Sequence, residues 1–150
     1  MANDRVNQAV RSSLGTLLGR TSRGMLTMLQ QSFSAAGFDI TVEQWLLLVN
    51  LRNCNGQFQQ HLADITYKDK ATVKRLIDGL EKRGLVERVP DDIDRRQKRL
   101  VITVRGRKML RDLKPLALKA QVKTQEGIEP GHLEICTEVL YKMHQNITGK

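Results

Sequence analysis

The stretch from Lys68 to Val104 constrains the fold more tightly than any other part of the chain. Val73, Leu76, Ile77 and Leu80 recur at i, i+3, i+4 and i+7, which places them on one stripe of a helix. Asp69 stands where an N-cap belongs, its carboxylate able to accept free amide hydrogens of the first turn. Gly84, following Lys82 and Arg83, gives that helix its usual end. Lys70, Ala71, Lys74 and Arg75 lie away from the stripe, with Thr72 near the start. A strand from Val86 to Pro90, a charged loop from Asp91 to Lys98 and a second strand follow. In the second strand Leu100 and Ile102 point one way, and Arg99, Val101 and Thr103 the other. A basic-faced helix leading into a basic-tipped hairpin is the layout of a winged helix-turn-helix. It predicts a mainly α chain with a small β-hairpin wing, and double-stranded DNA as the partner.

The charge distribution agrees with a polyanionic partner. Of a formal +9 over 150 residues, the segment from Lys68 to Arg111 carries +8, with fifteen Lys and Arg against seven Asp and Glu. The bland reading of such a run is a solvated helix face, but charge gathered in one segment is the footprint of a polyanion site. A chain of 150 residues can bury one core, so a single domain is expected. There is no apolar run long enough to cross a bilayer and no apolar leader at the N-terminus. Two cysteines at unrelated positions do not make a disulfide framework. These features predict a cytoplasmic protein with no membrane partner.

The flanking segments read as helices. From Arg5 to about Ala36, Val6, Val10, Leu14, Leu17, Leu18, Met25, Leu29 and Phe33 keep near-helical spacing. A helix that long is stabilised mainly by packing, so its early part is a candidate dimer surface. Thr41-Val42-Glu43-Gln44 is a capping box, and the helix it opens is apolar almost all round, from Trp45 to Leu51, which predicts a central position. Trp45 is expected to serve packing rather than a ligand. A turn at Asn53–Gly56 leads to a short helix near Gln59 to Ile65, the first of the helix-turn-helix pair. After the wing, Thr103 can cap a helix from Arg105 to about Gln125, with Pro115 expected to kink or break it. Pro130 suits the first position of a last helix. There Leu133, Cys136, Leu140, Met143 and Ile147 keep the 3-4 spacing of a seam against another helix.

Enzymatic chemistry finds no footing. His61, His132 and His144 are scattered, with no metal-ligand spacing, no phosphate-cradling glycine loop and no Gly-x-Ser-x-Gly, so no cofactor is expected. DNA-binding chemistry does. Lys70, Ala71, Thr72, Lys74 and Arg75 occupy the N-terminal turns that face base edges. Lys68, just before them, suits a phosphate, and Asp69 is expected to be spent on capping. Arg95, Arg96 and Lys98 stand at the hairpin tip, where a flexible arginine can reach a narrow minor groove. Two alternatives stay open. One is a redox sensor acting through Cys54, the cysteine expected to be accessible, whereas Cys136 on the seam is expected to be an inert small hydrophobe. The other is a basic module for RNA or an acidic protein, although no aromatic-rich strand or Gly-x-x-Gly clamp is present.

Leu62-Ala63, Thr72-Val73, Arg75-Leu76, Leu80-Glu81, Arg83-Gly84-Leu85-Val86, Arg88, Asp94-Arg95-Arg96 and Ile102-Thr103 with Gly106 resemble the signature of the MarR family of transcriptional regulators. The likeness extends in weaker form from residue 5 to residue 148. It departs at Gln59 and Asp69, where the family usually carries small hydroxyl residues. The resemblance implies a homodimeric, ligand-responsive repressor in which Arg96 inserts into the minor groove, Asp94 orients it through an ion pair, and Arg95 lies beside it. It implies one domain over 1–150, with dimerisation helices at 5–36 and 105–148 around a DNA-binding lobe at 40–104. A two-fold dimer would meet a pseudo-palindromic operator. A small-molecule effector would sit between the dimer helices and the lobe, a space that Met25, Leu29, Trp45 and Leu113 would line as readily as they would form a core.

Overall fold

The computed structural model describes residues 13–149. The expected helix start at Arg5, with Val6 and Val10, lies outside the described residues. Helix α1 spans Leu14–Ala35, with the Ser13 hydroxyl accepting the Thr16 amide. Helix α2 (Val42–Asn53) opens on the capping box: Thr41 Oγ1 accepts the Gln44 amide at 3.1 Å, and Gln44 Oε1 accepts the Thr41 amide at 3.3 Å. The Gln30 side chain clamps α1 to this start, donating to the Ile40 carbonyl and accepting from the Val42 amide. Leu47, Leu48 and Leu51 of α2 are fully covered, and α2 packs against α1 and against four of the elements that follow it in the chain. Leu46, expected to be buried with them, is exposed, because one side of α2 remains at the surface.

Strand β1 (Gln57–Phe58) precedes α3 (Gln59–Thr66), which starts at Phe58 without a side-chain cap. Helix α4 (Lys70–Lys82) leads through Gly84, at φ +66, into β2 (Val86–Pro90) and β3 (Lys98–Ile102). The sheet is antiparallel in the order β1-β3-β2, so the expected two-stranded wing has a third strand at its base. Phe58 pairs with Arg99 on one side of β3, and Val89 pairs with Arg99 on the other. Two residues carry no periodicity, which is why β1 cannot be read from sequence.

Helix α5 (Val104–Thr124) starts where Thr103 Oγ1 accepts the Gly106 amide at 3.0 Å. A Cβ on Gly106 would collide with the Leu85 carbonyl oxygen, so only glycine permits this approach of α5 to the end of α4. The break expected at Pro115 does not occur. Pro115 and Arg111 are both exposed, so the Arg111 carbonyl that loses its helical partner faces solvent. Helix α6 (Pro130–Thr148) begins on its N-terminal proline and has no buried residue.

One core holds the body together. Phe33 of α1, Leu47 and Leu51 of α2, Leu62 of α3, Val73, Ile77 and Leu80 of α4, Leu100 and Ile102 of β3 and Leu113 of α5 are all covered within it. Each such leucine or isoleucine contributes about 1.5–3 kcal/mol relative to exposure. The apolar stripe of α4 is thereby locked inward, and its basic face is turned out.

Candidate nucleic-acid interface

The turn between α3 and α4 sets the position of the basic face. Tyr67 caps α3 in a left-handed conformation, at φ 53, and Asp69 caps α4. Asp69 Oδ1 accepts the Thr72 amide at 2.8 Å, and Oδ2 accepts the Thr72 hydroxyl at 2.7 Å. These bonds hold the Asp69 carboxyl below the usual carboxylate range, the hydroxyl bond contributing most. The capping role expected of Asp69 is therefore in place. The Thr72 hydroxyl spends its hydrogen on that cap, leaving its methyl and lone pairs for any other contact.

Lys70, Ala71, Lys74 and Arg75 are exposed along α4, and Thr72 is half-buried. Lys68 is half-buried too, with its ammonium 2.7 Å from Glu43 at the start of α2. Lys74 pairs with Asp78 at 2.7 Å. Asp78 also accepts from Arg88 of β2 at 2.7 Å, and Arg88 reaches Glu81 as well. The Lys74 and Arg88 bonds draw the Asp78 carboxyl down from its ordinary value. Arg88, basic and next to the wing, thus braces β2 against α4.

The wing is braced in the same way. Asp91 is buried at its base, and one carboxylate oxygen accepts the amides of Ile93 and Asp94 at 3.2 and 2.9 Å. The other oxygen pairs with Arg99. The Asp94 amide first, then Arg99, keep the Asp91 carboxyl below its ordinary value. Arg99 donates onward to the Gly56 carbonyl at 3.3 Å, and its guanidinium lies 5.0 Å from the centre of the Phe58 ring. One aspartate and one arginine therefore tie the loop, β3 and β1 together. Sequence reasoning missed Arg88, Arg99 and Asp91 as a framework, because the partners of Arg88 come close only when β2 folds back on α4, and Asp91 meets Arg99 only across the hairpin.

Asp94 differs from expectation. Its Oδ1 accepts the backbone amide of Arg96 at 3.1 Å and its Oδ2 accepts from the Gln97 side chain at 3.3 Å. No ion pair joins it to the Arg96 guanidinium among the described residues. It shapes the turn that presents Arg96, because an Asx-type bond two residues on closes tight loops. Arg95, Arg96 and Lys98 are exposed and, like Lys70 and Arg75, enter no ion pair among the described residues. The structure thus brings Lys70, Ala71, Thr72, Lys74 and Arg75 onto one helix, and Asp94, Arg95, Arg96 and Lys98 onto one hairpin.

A cleft of about 370 Å³ opens between α1 and α5. Met25, Leu29 and Trp45 line it, with Lys114 and Gln121 at its polar side. Leu113 does not, being fully buried in the core. Trp45 is only partly covered, meets Phe33 edge-on at 5.7 Å, and leaves its buried indole N–H without a partner. Both cysteines are exposed, Cys136 included, since α6 rests its seam on no other helix among the described residues.

Comparison with known proteins gives this arrangement its context. A model of the MarR family matches residues 38–97, which run from just before α2 to the loop of the wing. The chain is 28% identical over 127 residues to the HTH-type transcriptional regulator YybA of Bacillus subtilis, covering 83% of this chain and 85% of that one. The crystal structure of the transcriptional regulator PA3341 is 30% identical, covers 92% of this chain and all of its own, and superposes with a TM-score of 0.80. BpsR of Bordetella bronchiseptica, whose DNA binding is regulated by 6-hydroxynicotinic acid, is 26% identical with a TM-score of 0.81 over 89% of this chain and 94% of its own. With the helix-turn-helix and the first strand and loop of the wing matched by the family model, and the chain matched along most of its length by transcriptional regulators, the chain belongs to the MarR family of transcriptional regulators.

Proposed function

We propose that the protein is a homodimeric, ligand-responsive repressor that acts in the cytoplasm. In this reading α4 enters the major groove of a pseudo-palindromic operator and Arg96 enters the adjacent minor groove. The observation that carries it is the sorting of the basic side chains into two groups. Arg83, Arg88 and Arg99 are taken up in ion pairs that hold the lobe together. Lys70, Arg75, Arg95, Arg96 and Lys98 stand exposed on the helix and the hairpin tip. Cations with no folding partner on two adjacent projections suit phosphates and base edges. Lys68 and Lys74 are positioned to exchange their carboxylate partners for DNA.

Residues 40–104 would form the DNA-binding lobe, and 5–36 with 105–148 the dimer frame of one domain over 1–150. The exposed apolar side chains of Leu14, Leu17, Ile135, Val139, Leu140 and Ile147 support that division, since such a face is stable once a second copy covers it. No helix among the described residues is long and apolar enough to cross a membrane. The cleft between α1 and α5 has apolar walls and the Lys114 amine, which suits a small molecule with an apolar body and an anionic group. The regulation of BpsR by 6-hydroxynicotinic acid supports an effector of that kind.

Selection of duplexes from a random pool, followed by footprinting, tests this reading. The expected site is a pseudo-palindrome with half-sites about 10 base pairs apart, centre to centre. A single asymmetric site of about 5 base pairs would contradict a symmetric dimer on DNA.

A further inference from the structure

Helix α6 is nearly detached from its own chain. None of its residues is buried, and among the described residues it packs closely on no other element. Near its C-terminal end, however, His144 meets Tyr67. The two rings stand edge to face with centroids 5.6 Å apart and planes at 86°, and Tyr67 Oη lies 3.2 Å from His144 Nε2. The phenol donates when that nitrogen is unprotonated and accepts when it carries a hydrogen. Among the described residues this is the one side-chain hydrogen bond from α6 to another element.

Its position matters more than its strength. Tyr67 is the left-handed cap between α3 and α4, and it lies two residues before Asp69, the cap of α4. A residue at φ 53 is normally glycine or asparagine, because a Cβ crowds the backbone at a cost of about 1–2 kcal/mol. The chain places a tyrosine there and leaves its side chain 69% exposed, so burial does not account for the choice. The contact that ring makes outside its own element is with His144. The contact therefore joins α6 to the turn that starts the basic helix.

We propose that Tyr67 and His144 form a latch that holds the helix-turn-helix turn against the C-terminal helix and pre-orients α4 for DNA. The latch rests on the DNA-binding reading above and adds a positioning device to it. With the latch open, the lobe samples additional orientations, and apparent affinity falls in proportion to the competent fraction. A hydrogen bond of ordinary strength corresponds to about a three- to tenfold change in that fraction.

The test uses the full chain with Tyr67→Phe, His144→Ala, the double variant and His144→Gln, whose amide can donate through its nitrogen or accept through its oxygen in place of the ring nitrogen. Binding is measured by anisotropy on a duplex selected by the wild-type protein. Amide hydrogen exchange is followed across Asp69 to Val73. Each single variant is expected to bind about three- to tenfold more weakly, the double variant no more weakly than either, and His144→Gln close to wild type. Exchange in the first turn of α4 should quicken in Tyr67→Phe and His144→Ala, with the thermal midpoint unchanged. Equal or tighter binding in the single variants, additive losses, or unchanged exchange would overturn the latch. If the wild-type protein selected no duplex, the DNA-binding reading would fail instead, and the exchange measurement would still decide the latch.

Discussion

Helices α4 and α6 are both amphipathic, yet they stand in opposite relations to the chain. Four apolar residues of α4 are buried in the core, whereas α6 buries none and leaves Ile135, Val139, Tyr141 and Ile147 at least half exposed. The first is positioned by its own chain, so its basic face keeps a fixed relation to the wing. The second has a seam that no element among the described residues covers. Amphipathic spacing states that a face will be covered, and does not state by what.

The largest consequence is for stability. Leu80→Ala in α4 should cost about 2–5 kcal/mol in chemical denaturation, since it opens a cavity among fully covered side chains. Leu140→Ala in α6, 37% exposed in the single chain, should cost far less at protein concentrations too low for association. Equal losses would erase the distinction between the two helices.

Association sharpens the same contrast. Val139→Glu in α6 should weaken self-association at least tenfold in sedimentation, a change of about 1.4 kcal/mol, because it puts a charge in the exposed apolar face proposed to meet a second copy. Arg75→Glu in α4 should leave association unchanged. A full-length protein that sediments as a monomer at micromolar concentration would contradict the dimer altogether.

A smaller effect is expected in acid. Asp69, Asp78 and Asp91 each have a folded pKa below the ordinary 3.8, held there by bonds to Thr72, to Lys74 and Arg88, and to the Asp94 amide and Arg99. A lowered folded value means stabilisation that is complete above the unfolded pKa and lost as the pH falls through the folded one. All three lie in the winged lobe, and none in α6. Amide exchange in α4 and the wing should therefore quicken as the pH drops below about 4, once corrected for the intrinsic pH dependence. Asp91→Asn should flatten that response in the wing. No difference between the lobe and α6 would show that these carboxylates do not hold the lobe.

Much of this arrangement was legible because its determinants are local. Thr41, Asp69 and Thr103 act within one helical turn, and Pro130 acts at its own position, so each could be read directly. The stripe of α4 was legible because four residues repeat at one period. What was not legible depends on pairing across the chain. Strand β1 exists only through β3, the Asp91–Arg99 pair forms only once the hairpin has closed, and the Arg88–Asp78 pair only once β2 has folded back on α4. Asp94 was expected to orient Arg96 through an ion pair, but its carboxylate takes the Arg96 backbone amide rather than the guanidinium. Trp45 was expected to be core, and it also borders the cleft, because α2 shows one side to the space between α1 and α5.

At the centre of this account, the lobe's basic residues divide into those that brace it and those left for DNA. Arg96→Ala and Arg75→Ala, compared with wild type by anisotropy on the selected and a random duplex across a salt series, test that division most directly. Arg96→Ala should weaken binding to both duplexes and lower the salt slope by roughly 0.9 for each phosphate that a subunit no longer neutralises. Arg75→Ala should cost about 1–3 kcal/mol on the selected duplex and little on the random one. Both variants should keep the wild-type denaturation midpoint, since neither side chain has a folding partner among the described residues. Unchanged affinity and slope for Arg96→Ala on both duplexes would contradict the account and leave the wing tip as a solvated loop.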